Sequence, residues 1–153
     1  MIDWLSLFPF LGIVAAAALS GVKFMPGHWY STLQKPSWTP PDWLFGPAWT
    51  ILYIMIAVAG WLVWSVEGAG VALAVWCLNL GFNAAWSWLM FGRHRIGWAF
   101  MDAMAMLVTI LAFLIIARPI SSTAALLFIP YLGWVAFAAA LNFEILQRNG
   151  SAA

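Results

Sequence analysis

The sequence predicts an all-α membrane protein: a bundle of five transmembrane helices with an ordered loop, rich in proline and tryptophan, between the first two. Two observations support this fold class. The first is composition, because 65% of the 153 residues are hydrophobic and only 7% are charged, whereas soluble domains average about 25% charged residues. The second is a set of five apolar runs, each close to the roughly 20 residues that a helix needs to cross the hydrocarbon core.

The five runs make up one predicted domain, residues 1–153. The breaks between the last four runs read EGAG, GRHRIG and RPISS, which are short connections rich in glycine, proline or charge. The first run begins with MIDW, which carries no Lys or Arg, so we expect it to be retained rather than cleaved as a signal peptide. The predicted helices cover about residues 5–25, 43–66, 71–91, 98–117 and 123–146.

The distribution of basic residues predicts the orientation of the chain. One side of the membrane would hold a single basic residue, Arg118. The positive-inside rule therefore places the opposite side, with the first loop and the C-terminus, in the cytoplasm. The net charge of +1 provides no basic field for nucleic acid. The basic residues on the predicted cytoplasmic side are Lys23, Lys35, Arg93, Arg95 and Arg148.

Polar residues on the third predicted helix follow helical spacing along one face. An amide that faces lipid leaves its donors unpaired, so we expect this face to contact protein, ligand or water. The residues that share it are Asn79, Asn83, Trp86, Ser87 and Met90.

The opposite face of the third helix carries small residues at intervals of four. Cys77, Gly81 and Ala85 form a small-xxx-small ladder that lets a second helix approach closely. We predict a homodimer seam here. The alternative is that the same residues pack against a neighbour within the bundle.

Three other helices combine aromatic or polar residues with small ones on one face. Such a face resembles the wall of a ligand cavity, which is apolar with a few oriented polar groups. The alternative is that the aromatic residues belong to interfacial belts. The predicted inward sets are Pro9, Ile13, Ala16 and Ser20 on the first helix, Trp49, Tyr53, Ile56 and Gly60 on the second, and Pro130, Tyr131, Trp134, Ala138, Leu141 and Asn142 on the fifth.

No catalytic group is predicted from the residues themselves. The five acidic residues lie in different segments with no spaced pair for acid–base chemistry. Asp102, one turn into the fourth helix, is expected to form a structural ion pair with Arg93 or Arg95. Neither histidine has a partner at metal-ligand spacing, so we predict no metal site and no bound cofactor.

Four longer motifs carry a family resemblance that covers nearly the whole chain. They are WYSTLQKPSWTPP (29–41), PAWTILY (47–53), NAAWSWLMFG (83–92) and PYLGWVAFAAALNF (130–143). With these motifs the chain resembles the tryptophan-rich sensory protein or translocator protein family (TspO), also called the peripheral-type benzodiazepine receptor.

The resemblance implies a five-helix bundle, usually dimeric, with a ligand cavity near the loop between the first two helices. Family members bind porphyrins such as protoporphyrin IX, cholesterol in animals, and synthetic isoquinoline and benzodiazepine ligands. The family ligand site, carried over by motif, falls on Tyr30, Trp38, Trp49, Asn83, Trp86, Trp134, Ala138 and Leu141. The predicted inward helix faces add Tyr53 and Asn79 to this set.

The resemblance also implies a role in tetrapyrrole sensing or regulation, with porphyrin as a ligand rather than a cofactor. Light- and oxygen-dependent porphyrin breakdown is the alternative, in which Trp49 and Trp134 would be the reactive or quenching groups. Physiological cholesterol binding is not expected, because Phe143 stands where the animal motif has a tyrosine. The short C-terminus fits a bacterial member, located in the cell membrane, with the lipid bilayer and a second copy as partners.

Overall fold

The computed structural model describes residues 4–150, and the regular structure in that range is helical throughout. The ends of the predicted domain, residues 1–3 and 151–153, lie outside the described residues. Short 3-10 turns precede α1 and α3, and a π-helical turn, Trp88–Gly92, continues α4. The α-helices are α1 (Phe8–Lys23), α2 (His28–Thr32), α3 (Phe45–Glu67), α4 (Val71–Ser87), α5 (Ile96–Ala117) and α6 (Ser122–Asn149).

Within the described range, four helical segments are long and apolar enough to cross a membrane. Their mean hydropathy lies between 1.8 and 2.4. They make the chain a multi-pass integral membrane protein and confirm the predicted all-α class. α4 by itself has 17 residues, and the π-helical turn adds five more. The four segments are Trp4–Lys23, Asp42–Glu67, Ile96–Ala117 and Ser122–Asn149.

Local sequence explains where several helices begin and end. The Ser121 hydroxyl accepts a hydrogen bond from the Ala124 N–H at 3.2 Å, which caps the start of α6. Gly68 ends α3 with a φ of +71°, a conformation that glycine adopts at little cost. The π-helical turn closes with the Arg93 N–H donating to the Trp88 carbonyl at 2.8 Å.

The long helices form a closed ring in the order α1, α3, α6, α5 and α4. α5 packs most extensively against α6 and α4, whereas α1 packs against α3 and α4. The interior of the ring is filled by large side chains with no exposed surface, as expected for a close-packed core. Five of these are Ile56, Trp76, Phe113, Phe128 and Tyr131.

Gly60 on α3 allows the Trp76 indole of α4 to lie against the helix backbone. A Cβ atom at position 60 would lie only 2.4 Å from the Trp76 ring. The Trp76 Nε1–H donates to the Ile56 carbonyl at 2.9 Å, so its polar group is satisfied within the core. The lack of a side chain at Gly60 therefore determines how closely α3 and α4 approach.

The predicted inward face of α1 is wrong by about one position. Pro9 and Ile13 are exposed, and the buried residues are Phe10 and Val14. Because α1 is apolar on all sides, hydrophobicity does not determine its rotation about the helix axis. Ser20, the polar residue of the predicted face, instead donates its hydroxyl to the Ala84 carbonyl at 2.5 Å.

Candidate ligand-binding site

An aromatic group lies between the N-terminal half of α3 and the middle of α6. Trp49 stacks on Tyr53 with ring centroids 5.3 Å apart. Its edge contacts are with Tyr131 at 6.3 Å and Trp134 at 6.4 Å. Trp134 also contacts Phe45 of α3, with ring centroids 5.8 Å apart. The structure therefore brings together three predicted ligand residues, Trp49, Tyr53 and Trp134, and we call the set of five side chains the aromatic group.

Trp134 has a buried indole N–H without an acceptor, in contrast to Trp86, whose N–H donates to Asn142. The Trp134 Nε1 atom is buried, yet no protein group accepts a hydrogen bond from it. A buried donor without a partner costs roughly 1–3 kcal/mol. Such a group in a native structure marks a position where water or a ligand completes the hydrogen bonding.

A chain of side-chain hydrogen bonds runs across the bundle next to the aromatic group. The Tyr53 hydroxyl donates to Asn83 Oδ1 at 2.9 Å, and Asn83 Nδ2 donates to the Tyr131 hydroxyl at 3.0 Å. The Tyr131 hydroxyl donates to Asn79 Oδ1 at 3.0 Å, and Asn79 Nδ2 donates to Thr109 Oγ1 at 2.8 Å. Both asparagines are buried, as their spacing predicts, but they bond to protein. We call this set the polar chain.

A second hydrogen-bonded pair involves Trp86, another predicted ligand residue. Its Nε1–H donates to Asn142 Oδ1 at 3.1 Å, and Asn142 Nδ2 donates to the Ile96 carbonyl at 3.1 Å. The Trp86 indole is thus held between α4, α5 and α6. Its N–H already has an acceptor, and its ring makes a perpendicular contact with Phe91 at 5.5 Å.

The remaining predicted ligand residues lie closer to the loop formed by residues 24–44. Tyr30 on α2 and Leu141 on α6 are buried in one cluster with Met90 and Ile96. Trp38 is 46% exposed and contacts Phe137, whose ring is 5.8 Å from Trp134. Ala138, half-buried, follows Phe137 on α6.

Polar contacts hold the loop together internally and attach it to the end of α6. Lys35 Nζ donates to the Tyr30 carbonyl at 2.7 Å and lies 4.7 Å from the centre of the Tyr30 ring. Asn149, near the end of α6, exchanges two hydrogen bonds with the backbone of Gln34 at 2.8 and 2.9 Å. Burial raises the pKa of the Tyr30 hydroxyl to about 12, and the nearby Asp42 carboxylate adds to this shift.

The expected ion pair of Asp102 is wrong. Asp102 is 9% exposed, and its Oδ2 atom has no hydrogen-bond partner. Within residues 4–150, the ion pair that forms is Glu144–Arg148, at 3.2 Å. The Arg93 guanidinium instead lies 5.6 Å from the centre of the Trp88 ring. The arginines lie in the exposed turn before α5, whereas Asp102 is on the buried side of that helix.

The predicted seam residues lie on the outer surface of α4. Cys77 and Gly81 are exposed, and Ala85 is half-buried. A Cβ at Gly81 would meet no atom within 4 Å, so this position does not pack against a neighbour in the same bundle. Cys77 borders a surface groove of about 290 Å³, and an apolar groove of the same volume lies between α5 and α6 near Phe100 and Phe143. Neither groove is lined by the predicted ligand residues.

Comparison with known proteins gives the same family as the motifs. The family model described as TspO/MBR family matches residues 5–148. The chain belongs to the TspO/MBR family. It is 37% identical to the tryptophan-rich sensory protein of Cereibacter sphaeroides, over 96% of this chain and 93% of that protein. It is 38% identical to the tryptophan-rich protein TspO of Chlorobaculum tepidum (91% and 92%) and 36% identical to the human translocator protein (92% and 90%).

The structure adds site residues of this TspO/MBR chain that sequence reasoning missed. They are Phe45, a member of the aromatic group, Phe137, which contacts Trp134 of that group, and Thr109, which ends the polar chain. Helical spacing could have found both phenylalanines, because Phe45 is four residues before Trp49 and Phe137 is three after Trp134. Thr109 had no such signal beyond being a hydroxyl in an apolar run.

Proposed function

We propose that this protein binds porphyrins, such as protoporphyrin IX and haem precursors, and similar flat apolar molecules, at the aromatic group beneath the loop. The observation that supports this most directly is the buried Trp134 Nε1–H, which has no hydrogen-bond acceptor. The Trp134 ring also contacts the rings of Phe45 and Trp49, and Trp49 stacks on Tyr53. A flat ligand with an acceptor atom would stack on these rings and accept the free hydrogen bond.

We place this binding in tetrapyrrole sensing or regulation. The relative from Cereibacter sphaeroides is named a sensory protein, and those from animals are named translocator proteins. The polar chain supports a receptor with a rigid wall, because its members bond to one another rather than needing a ligand. Trp38 and Tyr30 would cover the site from the loop.

The test is titration of the protein in detergent or lipid with protoporphyrin IX, followed by quenching of tryptophan fluorescence. Trp134→Phe keeps an aromatic ring but removes the N–H, so we expect its affinity to fall about three- to tenfold, the effect of one net hydrogen bond. Trp49→Phe should also weaken binding, because a smaller ring offers less stacking surface.

The matched control is Trp64→Phe, on the same helix as Trp49 but near its other end. Trp64 contacts Phe10 and no member of the aromatic group. Its substitution should leave the affinity unchanged. Equal affinity in the wild type, Trp134→Phe and Trp49→Phe would contradict the site assignment.

A second candidate function is oxidation of a bound porphyrin by dioxygen under illumination. The observation that favours it is the contact between Trp49 and three other redox-active rings, those of Tyr53, Tyr131 and Trp134. It predicts a new absorbing product that needs light, oxygen and protein, and that is lost in Trp49→Phe and Trp134→Phe. Equal product formation in these variants would reject it.

The finer architecture is part of the same proposal. We infer that α4 with its π-helical turn forms a fifth span, that the first loop and the C-terminus face the cytoplasm of a bacterial cell, and that two copies meet along α4. Cys77 is the one cysteine of the chain, so oxidation in membranes should yield a disulfide-linked dimer if the seam is correct. Cys77→Ser is the control, and absence of the dimer after oxidation would contradict the seam.

A further inference from the structure

A cluster of basic residues lies at the end of the bundle where α1 ends and α4 turns into α5. It consists of Lys23, Arg93 and Arg95 with two histidines, His28 and His94, and all five residues are exposed. We call this cluster the basic corner. It shares no residue with the aromatic group or with the polar chain.

Two ring contacts bring together the end of α1, the short helix α2 and the turn between α4 and α5. Phe24, next to Lys23, packs over the turn, since a Cβ at Gly92 would lie 2.8 Å from its ring. Trp29, next to His28, stacks on His94 with centroids 4.1 Å apart and an angle of 13°. His94 itself has a φ of +53°, a conformation that non-glycine residues adopt rarely. The turn is therefore held against both α1 and α2.

The positive charge of the basic corner has no protein counter-charge. Within residues 4–150, none of its five members forms an ion pair with Asp or Glu. Two of its cations lie near aromatic rings, with the Arg93 guanidinium 5.6 Å from the Trp88 centroid and the Lys23 ammonium 5.5 Å from that of Phe24. Cation–π contacts of this kind leave the donors of both groups free for an anion.

The basic corner lies next to surface that faces lipid. Val22 on α1 and Trp98 on α5 are each 67% exposed and belong to apolar spanning helices. Tryptophan is enriched where the hydrocarbon meets the lipid headgroups. Cations next to exposed apolar side chains of spanning helices match a molecule that has an anionic head and hydrocarbon tails.

We propose that the basic corner binds the headgroup of an anionic phospholipid, with the acyl chains along the adjoining apolar faces. Guanidinium groups donate paired hydrogen bonds to phosphate oxygens, and two arginines within one turn suit this recognition. The proposal does not depend on porphyrin binding. A soluble phosphate ion would offer the same chemistry without the tails, so the experiment separates these two sources.

The test uses the full-length protein in phosphatidylcholine bilayers that contain a trace of spin-labelled phosphatidylglycerol or spin-labelled phosphatidylcholine. The fraction of motionally restricted spin label reports lipid held at the protein surface. We expect phosphatidylglycerol to associate at least about fivefold more strongly, the effect of one basic residue near an anionic surface. The double variant Arg93→Gln/Arg95→Gln should bring the ratio close to one.

The matched control is Arg118→Gln. Arg118 lies in the turn between α5 and α6, at the opposite end of α5 from the basic corner. This variant should keep the wild-type ratio. Raising the ionic strength should lower the wild-type ratio, which tests the charge term without any substitution.

Three results would overturn the proposal. They are equal association of the two lipids with the wild type, a ratio that the double variant leaves unchanged, and loss of the preference on adding millimolar inorganic phosphate at constant ionic strength. The last result would assign the corner to a soluble anion. Circular dichroism verifies that the double variant is folded, and if it is not, the salt dependence of the wild type decides.

Discussion

Trp76 and Trp134 are tryptophans of one bundle with opposite surroundings. Trp76 has no exposed surface, fits against Gly60 and donates its N–H to the Ile56 carbonyl. Trp134 is half-buried among aromatic rings, and its buried N–H has no acceptor. The two tryptophans therefore differ both in ring burial and in whether the fold satisfies the indole N–H.

The same contrast divides α3 into two halves. Its C-terminal half is closely packed, with Ile56, Gly60 and Val63 buried. Its N-terminal half presents Trp49 and Tyr53, both half-buried, towards α6. The polar chain starts near the boundary between the two halves, at Tyr53, whose hydroxyl donates to Asn83 on α4. The two halves of α3 thus differ in how completely their side chains are buried.

Replacing each of the two tryptophans by alanine should give the largest difference. Trp76→Ala leaves a cavity in the packed half and should cost about 3–5 kcal/mol of stability. Trp134→Ala should cost less than half of that, because its ring is partly exposed and its N–H makes no bond to be lost. Thermal unfolding in one detergent measures both. Equal losses would show that the surroundings of Trp134 contribute as much to stability as those of Trp76.

A methyl group added at Gly60 should have the next largest effect. Gly60→Ala places a Cβ within 2.4 Å of the Trp76 ring, which cannot move without losing its hydrogen bond. Overpacking of this kind costs about 1–3 kcal/mol. Gly133→Ala on α6 is the control, because a Cβ there meets no atom within 4 Å. A stable Gly60→Ala variant would show that Trp76 has more freedom than its packing indicates.

The smallest effect concerns the loop and depends on pH. The pKa of Tyr30 is raised from its ordinary 10.0 to about 12, so the folded loop favours the neutral phenol. The stabilisation that comes from this residue is complete below pH 10 and is lost as the pH rises from about 10 to about 12. Tyr30→Phe should remove this alkaline loss, measured as unfolding temperature against pH. An identical pH profile in the variant would contradict the burial of Tyr30 in solution.

Much of the architecture could be predicted from the sequence. Composition and run length indicate an all-α membrane protein, and the motifs indicate the TspO/MBR family. The inward orientation of Asn79 and Asn83 was predictable because unpaired amides are costly in lipid. That they bond to Tyr131 and Thr109 was not, since spacing within one helix says nothing about the partner on another.

Two predictions failed for a shared reason. The rotation of α1 and the partner of Asp102 were both inferred from single segments. An all-apolar helix shows no preferred face, and a nearby arginine in sequence need not point towards a carboxylate. Phe45 and Phe137 were not predicted, because phenylalanine is common throughout an apolar chain and is no sign of a site by itself.

By itself, the sequence determined the lipid environment, the helical class and the family, because these depend on composition and on the order of residues along the chain. The tertiary structure alone decided which polar groups are satisfied, for a hydrogen bond depends on the position of two atoms from different helices. Trp76 therefore has its N–H satisfied within the core, whereas the N–H of Trp134 has no acceptor.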